Sequence, residues 1–442
     1  MQVPSTWKKE VHERRVELIS KLEGGALVLF GASSKRRNSD SEYDFRQDSN
    51  FLYLTRFLEP DSVLVLRSTP PHTVLFVPPR DRERETWDGR RAGVEGAVSE
   101  YGADEAHPIT ALAEKLPDLL ENVSLLWTIF RSPDLIDPKL TQAIFSVRAR
   151  RRKKVDSPVA IHDAAELLGG MRLIKSPFEL EQMRVAARAT RDGHLAAMRA
   201  AEPGITEFEL QRVLEDGFRR GGCRHVAYSS IVGAGANATI LHYRENDAPL
   251  PERGLVLIDA GAEYEGYACD VTRVFPIGGR FSALERKLYE LVLEAQLAAI
   301  AGCQVGSTID AIHELAVQKL ETGLLELGVL SELRDALGKR LVEKYYMHRT
   351  SHYLGLDVHD VGTYYEKGQA VPLVPGAVIT VEPGLYFAED DESVSPEFRG
   401  IGIRIEDDVL ITPDGPVVLT QDTPKSVDEV EAACLGSSRA PA

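Results

Sequence analysis

The sequence predicts an α+β protein of two domains, an α/β domain over residues 1–170 and a larger one over 171–442 built from a repeated unit. Three observations carry this. Short apolar runs alternate with polar loops and helical stretches up to about residue 170. Beyond it, Ser or Thr is followed three residues later by an acid at four places, the signature of a helix start. Two later strands share one design, GLVLIDAGAEY from Gly254 and GAVITVEPGLY from Gly376, each placing a carboxylate two residues before a glycine.

In chain order, strands are expected at Ala26–Phe30, Ser62–Leu66, Thr73–Val77 and Val123–Ile129. The stretch Arg148–Ser157, basic and then proline-punctuated, reads as a linker. The four helix starts are Ser176/Glu179, Thr206/Glu209, Ser282/Glu285 and Ser307/Asp310. Gly204-Ile-Thr and Gly306-Ser-Thr mark corresponding points of two halves, and each helix pair precedes a His-bearing segment and a strand. Chance similarity of two short strands is the alternative. The matching order of elements favours duplication, which predicts a curved antiparallel sheet backed by helices, with related residues converging on one cleft. The tail from Leu435, LGSSRAPA, is small and polar and is expected to lack fixed structure.

Composition excludes several function classes. With 442 residues and a formal charge of −16, the chain needs no staple for its core and repels polyphosphate, so nucleic acid is not an expected partner. The one basic run, Arg148–Lys154, reads as a solvated stretch. Cys223, Cys269, Cys303 and Cys434 show no CxxC and no regular spacing, which suits thiols in a reducing compartment. MQVPSTWKKEVHERRVELISKL carries charges where an export signal needs an apolar core, and no run has the ~18 apolar residues of a membrane span. A cytoplasmic protein without a membrane partner is expected.

The chemistry concentrates in the second domain. LVLIDAGAEYEGYACDVTRVF reads as a hairpin turning at Glu265-Gly266. If Tyr264 opposes Tyr267, Asp259 faces Thr272 and Asp270 faces Gly261. The two aspartates then lie diagonally on one face with Cα atoms ~7–8 Å apart, and Gly261 leaves room between them. A single Asp there would read as a strand-end or surface residue. Two on one apolar face repel unless a cation sits between them. Glu382 holds in the second half the place of Asp259, alternation puts Arg404, Glu406 and Asp408 on one face, and His352 stands in TSHYLGLDVHD. One imidazole and four carboxylates suit manganese, cobalt, iron or zinc, and five ligands fit two ions better than one. Gly233-Ala-Gly-Ala-Asn lacks the lysine and helix start of a phosphate loop, and Cys269 points away from the aspartates and reads as packing.

The segments IVGAGANATILHYREN, LVLIDAGAEYEGYACDVTRVFP, HYLGLDVHDVG, TVEPGLYF and GIGIRIEDD resemble the proline-specific aminopeptidases of the pita-bread metallopeptidases, the aminopeptidase P family. Weaker similarity runs through RRNSDSEYDFRQDSNFLYLTRFLEP and ETWDGRRAG, so the first domain resembles the creatinase/prolidase-like N-terminal domain and the second the pita-bread catalytic domain. The resemblance implies Asp259, Asp270, His352, Glu382 and Glu406 as ligands of two divalent ions, manganese first, with cobalt or zinc as alternatives. It implies His242 and His359 as catalytic histidines and Arg404 as a supporting residue. His348-Arg-Thr-Ser-His352 departs from the expected Gly and Leu at Arg349 and Thr350, which bears on the rim of the pocket.

The expected reaction is release of the first residue from peptides with proline in second position, by attack of a hydroxide shared between the ions. Glu382 would move the proton, and His242 and His359 would bind the oxyanion or the carbonyl. An Xaa-Pro bond lacks the N–H and has a fixed φ, so it needs a dedicated apolar pocket. The rival readings are a prolidase confined to dipeptides, a methionine aminopeptidase, a metal-independent amidinohydrolase, and a non-catalytic peptide- or histone-binding module of the same fold. A homo-oligomer, dimer or tetramer, is implied, with the first domain and Trp87 walling a neighbour's site; a plain surface tryptophan is the alternative.

Overall fold

The computed structural model describes residues 4–130, 135–150, 152 and 154–436. The chain divides into two compact units, Met1–Met171 and Arg172–Ala442.

The first unit is a six-stranded mixed sheet with spatial order Glu105–Pro108, Thr73–Val77, Val63–Arg67, Ala26–Phe30, Leu125–Thr128 and Ala160–Asp163. The three strands Ala26–Phe30, Val63–Arg67 and Thr73–Val77 pair antiparallel, and the outer pairings are parallel. Ala26–Phe30 is buried at all five positions, as a run of ALVLF without alternation requires of a strand covered on both faces. Helices Leu112–Leu119 and Pro138–Ala149 place Leu112, Leu116, Leu140, Ile144 and Val147 against that sheet.

The expected linker needs correction. Arg148 lies in the helix Pro138–Ala149, which is the crossover joining two parallel strands, and Ala160–Asp163 beyond it pairs with Leu125–Thr128. Residues 148–157 are therefore a connection within the first unit, with Arg151 and Lys153 outside the described residues. The division between units falls inside the helix Ala165–Leu173. Of the expected structureless tail, Leu435 and Gly436 follow the last helix, and 437–442 lie outside the described residues.

The second unit opens with helices Pro177–Ala200 and Glu207–Arg220, and Ala283–Ala301 and Ile309–Glu326 follow after the first strands. The first pair approach closely at Gly193 and Gly217, where a Cβ on Gly217 would lie 2.5 Å from the Gly193 Cα. Ser176/Glu179, Thr206/Glu209 and Ser282/Glu285 each make both hydrogen bonds of a capping box. The fourth differs: Thr308 caps its helix, accepting from the Ala311 N–H at 3.1 Å, while Asp310 contacts Arg349 and the Tyr365 hydroxyl. The second Thr/Ser of Gly-Ser-Thr wins because the helix begins one residue later than the box implies. A further box, Ser426/Glu429, opens Val427–Cys434.

The strands of the second unit form short ladders that share registers but stop and restart. Asp259 faces Thr272, Tyr264 faces Tyr267, and the turn residues Glu265 and Gly266 both have positive φ, 53° and 90°, as a two-residue hairpin turn requires. In the second half, Val378–Val381 pairs with Asp407–Thr412 and Gly384–Phe387 with Ile401–Arg404. The interruptions fall at Ala260-Gly261, at Cys269–Val271, at Glu382-Pro383 and at Ile405-Glu406. At each, the backbone leaves its hairpin partner and is free to pair elsewhere. The Glu406 N–H donates to the Thr272 carbonyl at 3.1 Å, which ties the second half to the first.

Candidate metal centre

The carboxylates predicted as ligands stand at those interruptions. Asp259 ends the strand Leu255–Asp259, Asp270 precedes Thr272–Pro276, Glu382 follows Val378–Val381, and Glu406 precedes Asp407–Thr412. A strand that stops there turns its last or next side chain into the space between the two halves instead of along a sheet face. Gly261 has a different role from the one expected. A Cβ there would sit 1.6 Å from the Cys269 carbonyl oxygen, so the glycine permits backbone contact across the hairpin and does not clear space for ions.

One ligand atom each from Asp270, His352 and Glu406 lie within 4.8 Å of one another. The His352 Nε2 is 3.4 Å from Asp270 Oδ2 and 3.5 Å from Glu382 Oε1. The His352 Nδ1 faces the Tyr353 carbonyl at 3.1 Å, the contact that leaves Nε2 as the ligating nitrogen in neutral histidine. Asp259 joins through Arg404, whose Nη2 donates to Asp259 Oδ2 at 2.5 Å, whose Nη1 donates to the Tyr386 hydroxyl at 2.8 Å, and whose Nε donates to Thr272 Oγ1 at 3.0 Å. Thr272 Oγ1 in turn donates to Glu406 Oε2 at 2.7 Å. The five predicted ligands and Arg404 are thus brought into one cluster.

The electrostatics of the cluster call for positive charge. Burial pushes the carboxyl pKa of Asp259, Glu382 and Glu406 upward, and their negative neighbours push the same way; Glu382 reaches about 7. Against the burial that would lower it, hydrogen bonding to Asp270 and the charge of Glu382 hold His352 up at about 9. The donor set fits divalent ions of hard to borderline character: anionic oxygens, one oriented imidazole nitrogen, and a buried setting.

The predicted histidines divide. His359 is exposed, its ring edge-on to His352 with centroids 4.5 Å apart, and burial followed by the His352 charge lowers its pKa. His359 stands on a loop anchored from below. Asp360 is buried against Arg172 and against Lys175 Nζ at 3.1 Å, and the Asp360 N–H donates to the Tyr353 carbonyl at 2.8 Å. His242 is exposed and sits close enough for its charge to bear on His348 and His359.

Sequence reasoning missed several participants. The Tyr228 hydroxyl lies between Asp259 and Asp270, 2.6 Å from Asp259 Oδ1 and in contact with Asp270 Oδ1. Tyr386 bridges Arg404 and His348. Asp408 accepts from the Asp270 N–H at 3.3 Å through both oxygens. Asp408 was readable from its place on the Arg404 and Glu406 face; Tyr228 carried no spacing signal at all. The departing pair at the rim splits: Thr350 is buried against His313 Nδ1 at 2.8 Å and the Tyr346 hydroxyl at 2.5 Å, whereas Arg349 is exposed and pairs with Asp310.

Carboxylates and one oriented histidine gathered between two homologous halves define a metal-dependent hydrolase of the duplicated α+β type. Residues 181–413 match metallopeptidase family M24, and residues 11–127 match the aminopeptidase P N-terminal domain. The chain belongs to metallopeptidase family M24. It is 41% identical to an Xaa-Pro aminopeptidase of Haemophilus influenzae, with 96% of each chain covered, and 38% identical to that of Escherichia coli, covering 98% of this chain and 99% of the relative. Among solved structures it matches the aminopeptidase PepP of Pseudomonas aeruginosa with a TM-score of 0.95 at 42% identity, over 99% of both chains. It also matches a zinc-substituted Escherichia coli aminopeptidase P in complex with product, with a TM-score of 0.93 at 37% identity over the full length of both. Among the described residues, no helix is long and apolar enough to cross a membrane.

Proposed function

We propose that the chain is a metal-dependent exopeptidase that releases the first residue from peptides with proline in second position. The observation that carries this is the convergence of Asp259, Asp270, His352, Glu382 and Glu406 in a chain aligned end to end with Xaa-Pro aminopeptidases. These five residues would hold two divalent ions, manganese first, with cobalt or zinc as alternatives; the zinc-substituted relative supports the range. Such a pair supplies Lewis acidity toward the scissile carbonyl and lowers the pKa of water.

The chain's own groups do the rest. Glu382, within 3.5 Å of the His352 Nε2 at the edge of the cluster, would accept a proton and return it to the proline nitrogen. His359, whose pKa burial lowers, can donate from its ring N–H to the carbonyl oxygen as negative charge develops. His242 lies on the exposed side and would hold the peptide beside the scissile bond. Arg404 fixes Asp259 and, through Thr272, Glu406, and so acts as a positioning residue.

Two finer points belong to this reading. Four free cysteines and a charge of −16 support a cytoplasmic protein. Trp87, on the helix Arg82–Asp88, is 88% exposed, and supports a dimer or tetramer in which this residue faces a neighbour's site. Of the rivals, the prolidase shares the chemistry and differs only in substrate length, and the binding module would not need five ligands.

The test is release of the first residue from Xaa-Pro-Yaa and Xaa-Pro peptides after chelation, with manganese, cobalt and zinc compared. Cleavage of the tripeptide separates the aminopeptidase from the prolidase. Absence of hydrolysis with metal bound would leave the binding module.

A further inference from the structure

His242 stands in the segment between the turn Gly235–Thr239 and the strand Leu255–Asp259, and the far end of this segment pairs with the start of the helix Glu207–Arg220 at the bridge Thr206–Pro249. One buried carboxylate reaches both flanks of that segment. Glu207, first residue of the helix Glu207–Arg220, is completely buried, and no ion pair meets it among the described residues. Four donors satisfy it instead. Oε1 accepts from the Ala234 N–H at 2.8 Å and from Asn237 Nδ2 at 3.0 Å. Oε2 accepts from the Tyr243 hydroxyl at 2.9 Å and from the Ala248 N–H at 3.1 Å.

An acid at a helix start ordinarily serves its own helix. Here that service is taken: Thr206 and Glu209 form the capping box, which leaves both oxygens of Glu207 for the loop. The four donors bracket His242 along the chain, two before it and two after. The nearest, Tyr243, is 6% exposed and packs in the core, so the adjacent His242 is held outward by an anchored neighbour. Asn237 Nδ2 also donates to the Tyr243 hydroxyl at 3.1 Å, and the Glu207 N–H donates to the Ala248 carbonyl at 2.9 Å, which ties the far end of the segment to the helix start.

We infer that Glu207 is a positioning residue for peptide hydrolysis, acting through His242. This rests on the reading of His242 as a group that touches the substrate. A glutamine at this place is near-isosteric but turns an N–H₂ toward backbone N–H donors, so the loop loses its shape while the core keeps its volume. Tyr243→Phe is the milder change, removing one donor and nothing from the packing.

The experiment is a pair of double-mutant cycles in the metal-loaded full chain, Glu207→Gln with His242→Ala and Tyr243→Phe with His242→Ala. Readouts are kcat and KM on one Xaa-Pro-Yaa peptide, metal content, and amide exchange at Ala234 and Ala248. Glu207→Gln should keep both metals, speed exchange at those two amides, and lower kcat/KM by about 10- to 100-fold, the scale of a misplaced catalytic group. In the His242→Ala background the same change should cost less than about twofold, because the group it positions is gone. An equal loss with and without His242, or no loss at all, overturns the inference. A costly His242→Ala beside an additive Glu207→Gln sinks this inference alone, whereas an inert His242→Ala sinks the reading of His242 and the inference with it. Should Glu207→Gln fail to fold, the Tyr243→Phe cycle decides by the same criteria.

Discussion

At Tyr228 one hydroxyl proton faces two aspartate oxygens, those of Asp259 and Asp270. It can be donated to only one of them, so the pair must share further positive charge, and burial drives the Tyr228 pKa well up, so the phenol does not ionise to add to the problem. Asp270→Ala is accordingly expected to lose bound metal and activity together while far-UV circular dichroism stays unchanged; near-normal turnover at saturating metal would refute the ligand set. The histidines should behave differently. A donor to a developing oxyanion contributes ~2.7–4 kcal/mol, or 10²–10³ in turnover. His359→Ala is expected to keep its metal, lose turnover by about that factor and change KM less, with His242→Ala following it or raising KM more if the ring meets only the residue after the scissile bond. Elemental analysis beside kcat and KM separates these cases, and loss of metal in His359→Ala would make it a ligand. The four clustered carboxylates were legible in sequence because carboxylates on apolar strands violate the burial pattern, whereas the role of Arg404 came from the family resemblance. Half-buried Tyr228 and buried Tyr386 were not legible, since a tyrosine in either setting violates no pattern.

The elements explain a pH dependence. His194, on the helix Pro177–Ala200, is completely buried with Nε2 3.1 Å from the Ala260 carbonyl, between the two aspartate-bearing strands. Burial lowers its pKa to about 4. The unfolded chain takes up a proton near pH 6.5 and the folded chain does not until far lower, so stability is flat above ~6.5 and falls as pH drops toward ~4. Between pH 7 and 5 this one group should cost ~2 kcal/mol. His313 and His348, lowered to about 4 and about 3, chiefly by burial, act in the same direction. Comparing denaturant unfolding of the native chain with His194→Gln at the two pH values isolates the share of His194; an equal drop in both would refute it. Helices and their caps were readable because a capping box is local chemistry. The break in GIGIRIEDD was not, because its alternation runs straight through the place where the strand stops, although Pro383-Gly384 in VITVEPGLY is a local breaker. What stops the strand in GIGIRIEDD is pairing between the halves, such as Glu406 with Thr272, which local sequence does not encode.

For the molecule as a whole, the crowding of four carboxylates makes metal a folding ligand. Exhaustive chelation is expected to lower the melting temperature, and restored metal to raise it with the logarithm of its concentration. A melting curve unchanged after metal removal, verified by elemental analysis, would contradict this. Trp87→Ala should weaken cleavage of longer peptides while sparing metal content if that side chain meets a neighbouring copy. A monomer by light scattering with unaltered kinetics would count against it. Two-domain organisation and the repeated unit were legible from element order, whereas Arg148–Ser157, the end of the crossover helix Pro138–Ala149 and the connection beyond it, was read as a linker because a basic, proline-punctuated stretch looks alike in both settings. The ties between the halves also set an order of events. Asp259 and Arg404 are 145 residues apart, and Thr272 and Glu406 are 134 apart. A ribosome adding ~5–20 residues per second finishes the first hairpin on the order of 10 s before the second ligand segment exists. During that interval the nascent chain carries half a binding site with no partner for its charges. Loading with metal therefore waits for the completed second half, and a cell starved of the ion would accumulate full-length polypeptide that is folded but less stable, its gathered charges still unbalanced.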